Sequence, residues 1–150
     1  MNRFPTGGDG TKRGMRSFGG LRAGFQGVVM ALVLVLDDER DACQLMARII
    51  SSFGHEVKAF TDSEEALKWV TRVEPDLALL DVGLRGSYGI DVVDRFLRIR
   101  PKLKAILITG YPSMATAGEA FHSGTLDLLV KPVELDELEA RVRLALGLIK

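Results

Sequence analysis

Two stretches decide the fold: Ala31-Leu32-Val33-Leu34-Val35-Leu36-Asp37-Asp38-Glu39 and Leu77-Ala78-Leu79-Leu80-Asp81. Each is a short apolar run that ends abruptly on acid. A strand with one wet face would alternate apolar and polar residues; an unbroken run predicts a strand covered on both faces, as in a parallel sheet flanked by helices.

Working outward, the chain alternates such runs with amphipathic stretches. Over Arg40–Phe53, the residues Ala42, Leu45, Met46, Ile49 and Phe53 recur in steps of three and four, which predicts a helix with that stripe inward and Gly54 as its stop. Glu56–Phe60 reads as a strand. Ser63 reads as an N-cap, with Glu64 and Glu65 in the first turn of a helix running to about Val73 before Pro75. After Asp81 comes a loop containing Gly83, Gly86 and Gly89, then a helix over Ile90–Arg100 and a strand over Lys104–Thr109. A weaker helix spans residues 113–123, closed by Gly124, and Leu126–Val130 is a fifth strand. Past Lys131-Pro132 a last helix covers about Glu134–Leu148, with Leu135, Leu138, Val142, Ala145, Leu146 and Ile149 facing in. Five strands alternating with five helices imply an α/β fold, a doubly wound parallel sheet.

The 150 residues are 47% hydrophobic and 27% charged, a globular composition that excludes wholesale disorder. One cysteine, Cys43, excludes a disulfide framework and a cysteine metal cage. Net charge is zero, which argues against bulk electrostatic capture of nucleic acid or of an anionic membrane. The charge is uneven, however. Residues 1–27 hold five basic residues against one acid and eight of the sixteen glycines, so they carry +4 and the remainder −4. The expectation is a disordered Gly/Arg-rich tail over residues 1–29 and one domain over 30–150, with Met30 an alternative start. The apolar run Val28–Leu36 runs into Asp37-Asp38-Glu39 without a small-residue cleavage site, and nine residues are too few to span a bilayer. A cytoplasmic location, with no membrane contact, is expected.

In an open parallel sheet, chemistry collects at the carboxyl ends of the strands. Asp37 and Asp38 lie at the end of the first strand, Asp81 of the third, Thr109 of the fourth and Lys131 of the fifth. Carboxylates gathered at one edge repel, and a hard divalent cation such as magnesium compensates them. Lysine offers a point charge to a phosphate, and a threonine hydroxyl can bond a phosphoryl oxygen. Together they read as a metal-assisted phosphoryl site with a carboxylate nucleophile. Asp81 is the nucleophile candidate, being the lone carboxylate at a central strand end, with Asp37 and Asp38 on the metal.

From about Ala31 to Leu148 the chain resembles a receiver domain of a bacterial two-component response regulator. The matching residues are Asp37-Asp38, Asp81, Thr109 and Lys131-Pro132, with Asp81-Val82-Gly83-Leu84 and Gly89 similar to the loop after the phosphorylated aspartate. The resemblance implies a flavodoxin-like sheet in the order 2-1-3-4-5 and a cis Lys131-Pro132 bond. It implies that Asp81 takes a phosphoryl group from a sensor histidine kinase or a histidine phosphotransfer protein. It implies Mg2+ held by Asp37, Asp38, Asp81 and the Gly83 backbone carbonyl, with Thr109 and Lys131 on the phosphoryl oxygens. A switch of this kind is not a turnover enzyme. It signals through a protein contact on the fourth helix, fifth strand and fifth helix, a face including Phe121, Leu128 and the acidic run Glu134 to Glu139, as a monomer or weak dimer and without nucleic acid. The alternatives are a phosphate-independent adaptor of the same fold, or a receiver fragment of a larger hybrid kinase or transcription factor.

Two positions depart from the family pattern. Leu128 stands where an aromatic residue usually precedes the lysine by three, and Arg85 where proline usually follows the nucleophile by four. Gly83 and Tyr111, at positions that tune phosphate lifetime, lead us to expect slow self-dephosphorylation. His55 and His122 lack metal-ligand spacing, Met46 and Met114 read as core filler, Trp69 as the edge of an apolar stripe, and Cys43 as an inert neighbour of one.

Overall fold

The computed structural model describes residues 22–23, 29–81, 86–110 and 127–148. In chain order the main elements are β1 (Leu32–Leu36), α1 (Arg40–Ser52), β2 (Glu56–Phe60), α2 (Ser63–Arg72), β3 (Leu77–Asp81), α3 (Gly86–Ile99), β4 (Ala105–Thr109), β5 (Asp127–Val130) and α4 (Leu135–Ala145). The five strands form one parallel sheet in the order β2-β1-β3-β4-β5. Arg22–Ala23, in the stretch read as a tail, pairs antiparallel with Val29–Met30 at the boundary of the expected domain. The expected helix over 113–123 lies outside the described residues.

The unbroken apolar strands are buried on both sides, as their composition demands. Alternate residues serve opposite faces. Leu34, Leu36, Ala78, Leu80 and Leu107 pack with Ala66 and Val70 of α2 and Val93 and Phe96 of α3. Val33, Val35, Leu79, Ile106, Ile108 and Leu129 pack with Cys43 and Ile50 of α1 and Leu138 and Val142 of α4. Each fully buried Leu, Ile or Phe contributes roughly 1.5–3 kcal/mol of transfer free energy, so these two layers hold the sheet between its helices.

The start of β1 is fastened by side chains from the neighbouring loops. The Ala31 N–H donates to His55 Nδ1 at 3.1 Å, and the Leu32 N–H donates to an Asp76 carboxylate oxygen at 2.7 Å. His55 is therefore structural, and its burial lowers the imidazole pKa against the opposing charge of Asp76. Gly54 closes α1 at φ +98°, a left-handed conformation that suits glycine.

The structure corrects several sequence expectations. Cys43 and Ile50 form the buried line of α1, whereas Leu45, expected inside, is 57% exposed. The end of α1 is as read, with Phe53 at the C-cap and Gly54 after it. Asp62 rather than Ser63 occupies the N-cap of α2, and its side chain makes no capping hydrogen bond. The third helix begins at Gly86, so Gly86 and Gly89 belong to it and not to a loop. Leu135, expected on the inward stripe of the last helix, is 56% exposed, while Leu138, Val142 and Leu146 are buried as read. Trp69 packs at the edge of the α2 layer, its ring 5.6 Å from that of Phe60. Among the described residues no helix is long and apolar enough to cross a membrane.

Candidate functional site

Strand register brings the site together. Leu36 is opposite Leu80, so Asp37 and Asp81, each one residue on, emerge side by side from adjacent strands. Both follow residues of one parity, Val33 and Val35 in β1 and Leu77 and Leu79 in β3, which face α1 and α4. Lys131 follows Leu129 of the same layer and reaches back across the strand ends. Its Nζ lies 2.5 Å from an Asp81 carboxylate oxygen, with the Asp81 side chain 7% exposed and that of Lys131 41%. The Lys131 N–H also donates to the Thr109 carbonyl at 2.7 Å, tying the lysine to the end of β4. The following Lys131-Pro132 bond is cis.

The electrostatics are those of crowded acids. Asp37 is 6% exposed. Burial pushes its carboxyl up to about 6, and the charge and hydrogen bond of Asp81 add to the rise; the Glu39 N–H, which donates to an Asp37 carboxylate oxygen at 3.0 Å, and the Lys131 charge oppose it. At Lys131, partial burial pulls the ammonium down. The hydrogen bond and charge of Asp81, with the charges of Asp37 and Glu39, outweigh it and leave the pKa raised. One ammonium thus serves several carboxylates. Oxygen donors with a surplus of negative charge suit a hard divalent cation completed by water.

Asp37, Asp81 and Lys131 are therefore brought into contact. Asp38 lies beside them on the exposed rim. Thr109 ends β4 fully buried, and by strand alternation it follows Leu107 on the side opposite Asp81. Among the described residues no three acidic, histidine or cysteine side chains converge as a ready-made cation site. Asp37 and Asp81 would be the inner pair, with Asp38 turning in from the rim. Gly83, whose carbonyl was expected as a ligand, Tyr111 and Arg85 lie outside the described residues, as do His122, Met114 and Phe121. Leu128 packs against the α2–α3 layer.

Two neighbours were not read as part of the site. Glu39 contributes charge at Lys131 as well as its N–H at Asp37. Cys43 is 2% exposed, and its thiol donates to the Phe60 carbonyl at 3.3 Å. Burial raises its pKa and the nearby Asp37 charge reinforces the rise. The Glu39 contact has the spacing of an Asx turn, two residues on from Asp37, whereas no spacing rule signals the Cys43 contact, which arises where α1 packs over the strand ends.

A family model described as the response regulator receiver domain matches residues 33–143. The transcriptional regulatory protein ZraR of Escherichia coli K12 is 32% identical over 115 residues, which cover 77% of this chain and 26% of that protein. The DNA-binding transcriptional regulator NtrC of Azospirillum brasilense is 32% identical over 117 residues, covering 78% of this chain and 24% of its own. The chain thus spans about a quarter of the length of these curated relatives. Among solved structures, a CheY-like receiver domain protein of Methanospirillum hungatei JF-1 superposes with a TM-score of 0.73 at 24% identity, covering 79% of this chain and 94% of that one. NtrX of Brucella abortus, solved with ADP, gives a TM-score of 0.71 at 32% identity, covering 79% of this chain and 26% of its own.

Proposed function

The chain belongs to the response regulator receiver family, and from that premise we propose that Asp81 is the phosphoacceptor of a signalling switch fed by a histidine kinase or a histidine phosphotransfer protein. The observation that carries this reading is the contact of the Asp81 carboxylate with Lys131 Nζ at 2.5 Å, beside Asp37 at the carboxyl edge of the sheet.

An oxygen of the Asp81 carboxylate bonds to phosphorus as the phosphorus–nitrogen bond of a phosphohistidine breaks, and the imidazole leaves with the electron pair. Asp37, Asp38 and Asp81 would hold a Mg2+ ion, which when bound would neutralise the charge of the transferring phosphoryl group. Lys131 starts on Asp81 and passes to a phosphoryl oxygen, remaining a short-range positive charge throughout. Thr109 is already fastened to Lys131 through its carbonyl. Bringing its hydroxyl to the phosphoryl group requires the β4 end to rearrange, and that movement is how occupancy of Asp81 becomes a change of shape.

The protein is a switch, not a turnover enzyme, and acts in the cytoplasm by protein contact. The expectation that it binds no nucleic acid gains no support from relatives named as transcriptional regulators. Leu128 favours a second reading, a phosphate-independent adaptor, because an aliphatic side chain packed on the core replaces the aromatic residue that usually turns with the threonine.

Beryllofluoride with Mg2+ separates the two. We expect amide shifts at Thr109, Gly110 and Lys131 in the wild type and none in Asp81→Asn. Equal responses in both proteins would overturn the assignment of Asp81.

A further inference from the structure

Beside Asp81 the surface opens into a cleft of about 610 Å³. Its polar head is formed by Asp37, Asp81 and Lys131. Beyond them the walls are aliphatic, with Leu45, Met46 and Ile49 on α1 facing Leu135 and Leu138 on α4. Leu45 and Leu135 are 57% and 56% exposed. Single exposed leucines need no explanation, but two flanking one cleft at a nucleophile do. Ala42 to Ile49 spans two helical turns, so the apolar wall is about 10 Å long, the reach of a medium aliphatic chain.

With the surplus negative charge offset by the Mg2+ that Asp37, Asp38 and Asp81 would hold, a ligand filling this cleft carries an anionic head for the Lys131 ammonium and an apolar tail. With Asp81 as nucleophile, the head is a phosphoryl group. We infer that the site discriminates among small phosphodonors by tail length, taking acyl phosphates of medium chain in preference to acetyl phosphate. The inference rests on the reading of Asp81 as phosphoacceptor. In the step, an Asp81 carboxylate oxygen bonds to phosphorus, the bond from phosphorus to the acyl oxygen breaks, and the fatty carboxylate leaves with the electron pair. No proton is transferred. The leaving carboxylates of the series have nearly equal basicity, so differences in rate report the cleft and not the chemistry.

A fully buried methylene is worth about a fourfold preference, and one held in an open cleft about twofold. The full chain with Mg2+ is therefore given acetyl, butyryl and hexanoyl phosphate at equal concentration, and phosphoprotein is followed by intact mass. The second-order rate constant is expected to rise about 16-fold from acetyl to hexanoyl phosphate, four methylenes at about twofold each, and Leu45→Ser to flatten that rise. Separately, hexanoylphosphonate, whose phosphorus–carbon bond blocks transfer, is expected to shift the Met46 methyl NMR signal at concentrations where acetylphosphonate does not. Equal rates along the series, or equal methyl shifts, overturn the inference while leaving Asp81 the acceptor. Failure of every donor to label Asp81 overturns the proposed function itself.

Discussion

Among the described residues, Asp37 carries a charge that its surroundings oppose. It is nearly closed to solvent, hydrogen-bonded to a second carboxylate, and pushed up to about 6. Its folded value lies above the unfolded one near 3.8, so the folded state binds the extra proton between those two values. That favourable linkage is complete below about pH 4 and is lost as pH rises through 6. In the metal-free protein at pH 7.5 the ionised side chain is thus a cost. Asp37→Asn is expected to raise unfolding free energy by about 1–3 kcal/mol at pH 7.5, an advantage that shrinks towards pH 4. Mg2+ is expected to stabilise the wild type and not the variant. Urea denaturation at the two pH values, with and without Mg2+, checks both; a variant less stable than wild type at pH 7.5 without metal would contradict the crowded-acid description. Asp37, Asp81 and Lys131 were legible in the sequence, because each stands at the end of an apolar run, whereas the neighbours Glu39 and Cys43 were not. The burial that shifts Asp37 was not, since it depends on α1 folding over the strand ends.

Helices show where periodicity stops being informative. In α1 the apolar residues at 42, 45, 46, 49 and 53 follow a helical period, but Cys43, Met46 and Ile50 form a second stripe one residue on. The period was readable and its phase was not. The structure buries Cys43 and Ile50 and leaves Leu45 in the cleft. Glycines misled in the other direction: Gly86 and Gly89 read as loop, yet lie in the first turn of α3, despite a propensity cost of about 1 kcal/mol for a glycine in a helix interior. In α4 the same residue type tests the layer model directly. Leu138 is buried between α1 and the sheet, whereas Leu144 is 48% exposed. Leu138→Ala is expected to cost about 2–4 kcal/mol and Leu144→Ala less than about 1 kcal/mol, measured by denaturant midpoint. Similar losses would show that α4 is not docked by the face described.

Across the whole molecule, alternation of buried runs with amphipathic helices was sufficient for a doubly wound parallel sheet. The order 2-1-3-4-5 came from the family resemblance and not from any residue; the structure has that order. That order, with strand parity, places Asp37, Asp81 and Lys131 on one side of one edge, while Thr109 lies across the sheet from them. Gly83 and the expected helix over 113–123 fall outside the described residues. The measurement that bears most directly on the central claim is peptide mapping by mass spectrometry after acetyl phosphate and Mg2+. One phosphoryl group on Asp81, labile to hydroxylamine and absent from both Asp81→Asn and a magnesium-free control, is the predicted result. A phosphoryl group on another residue, or one that persists in Asp81→Asn, would contradict it.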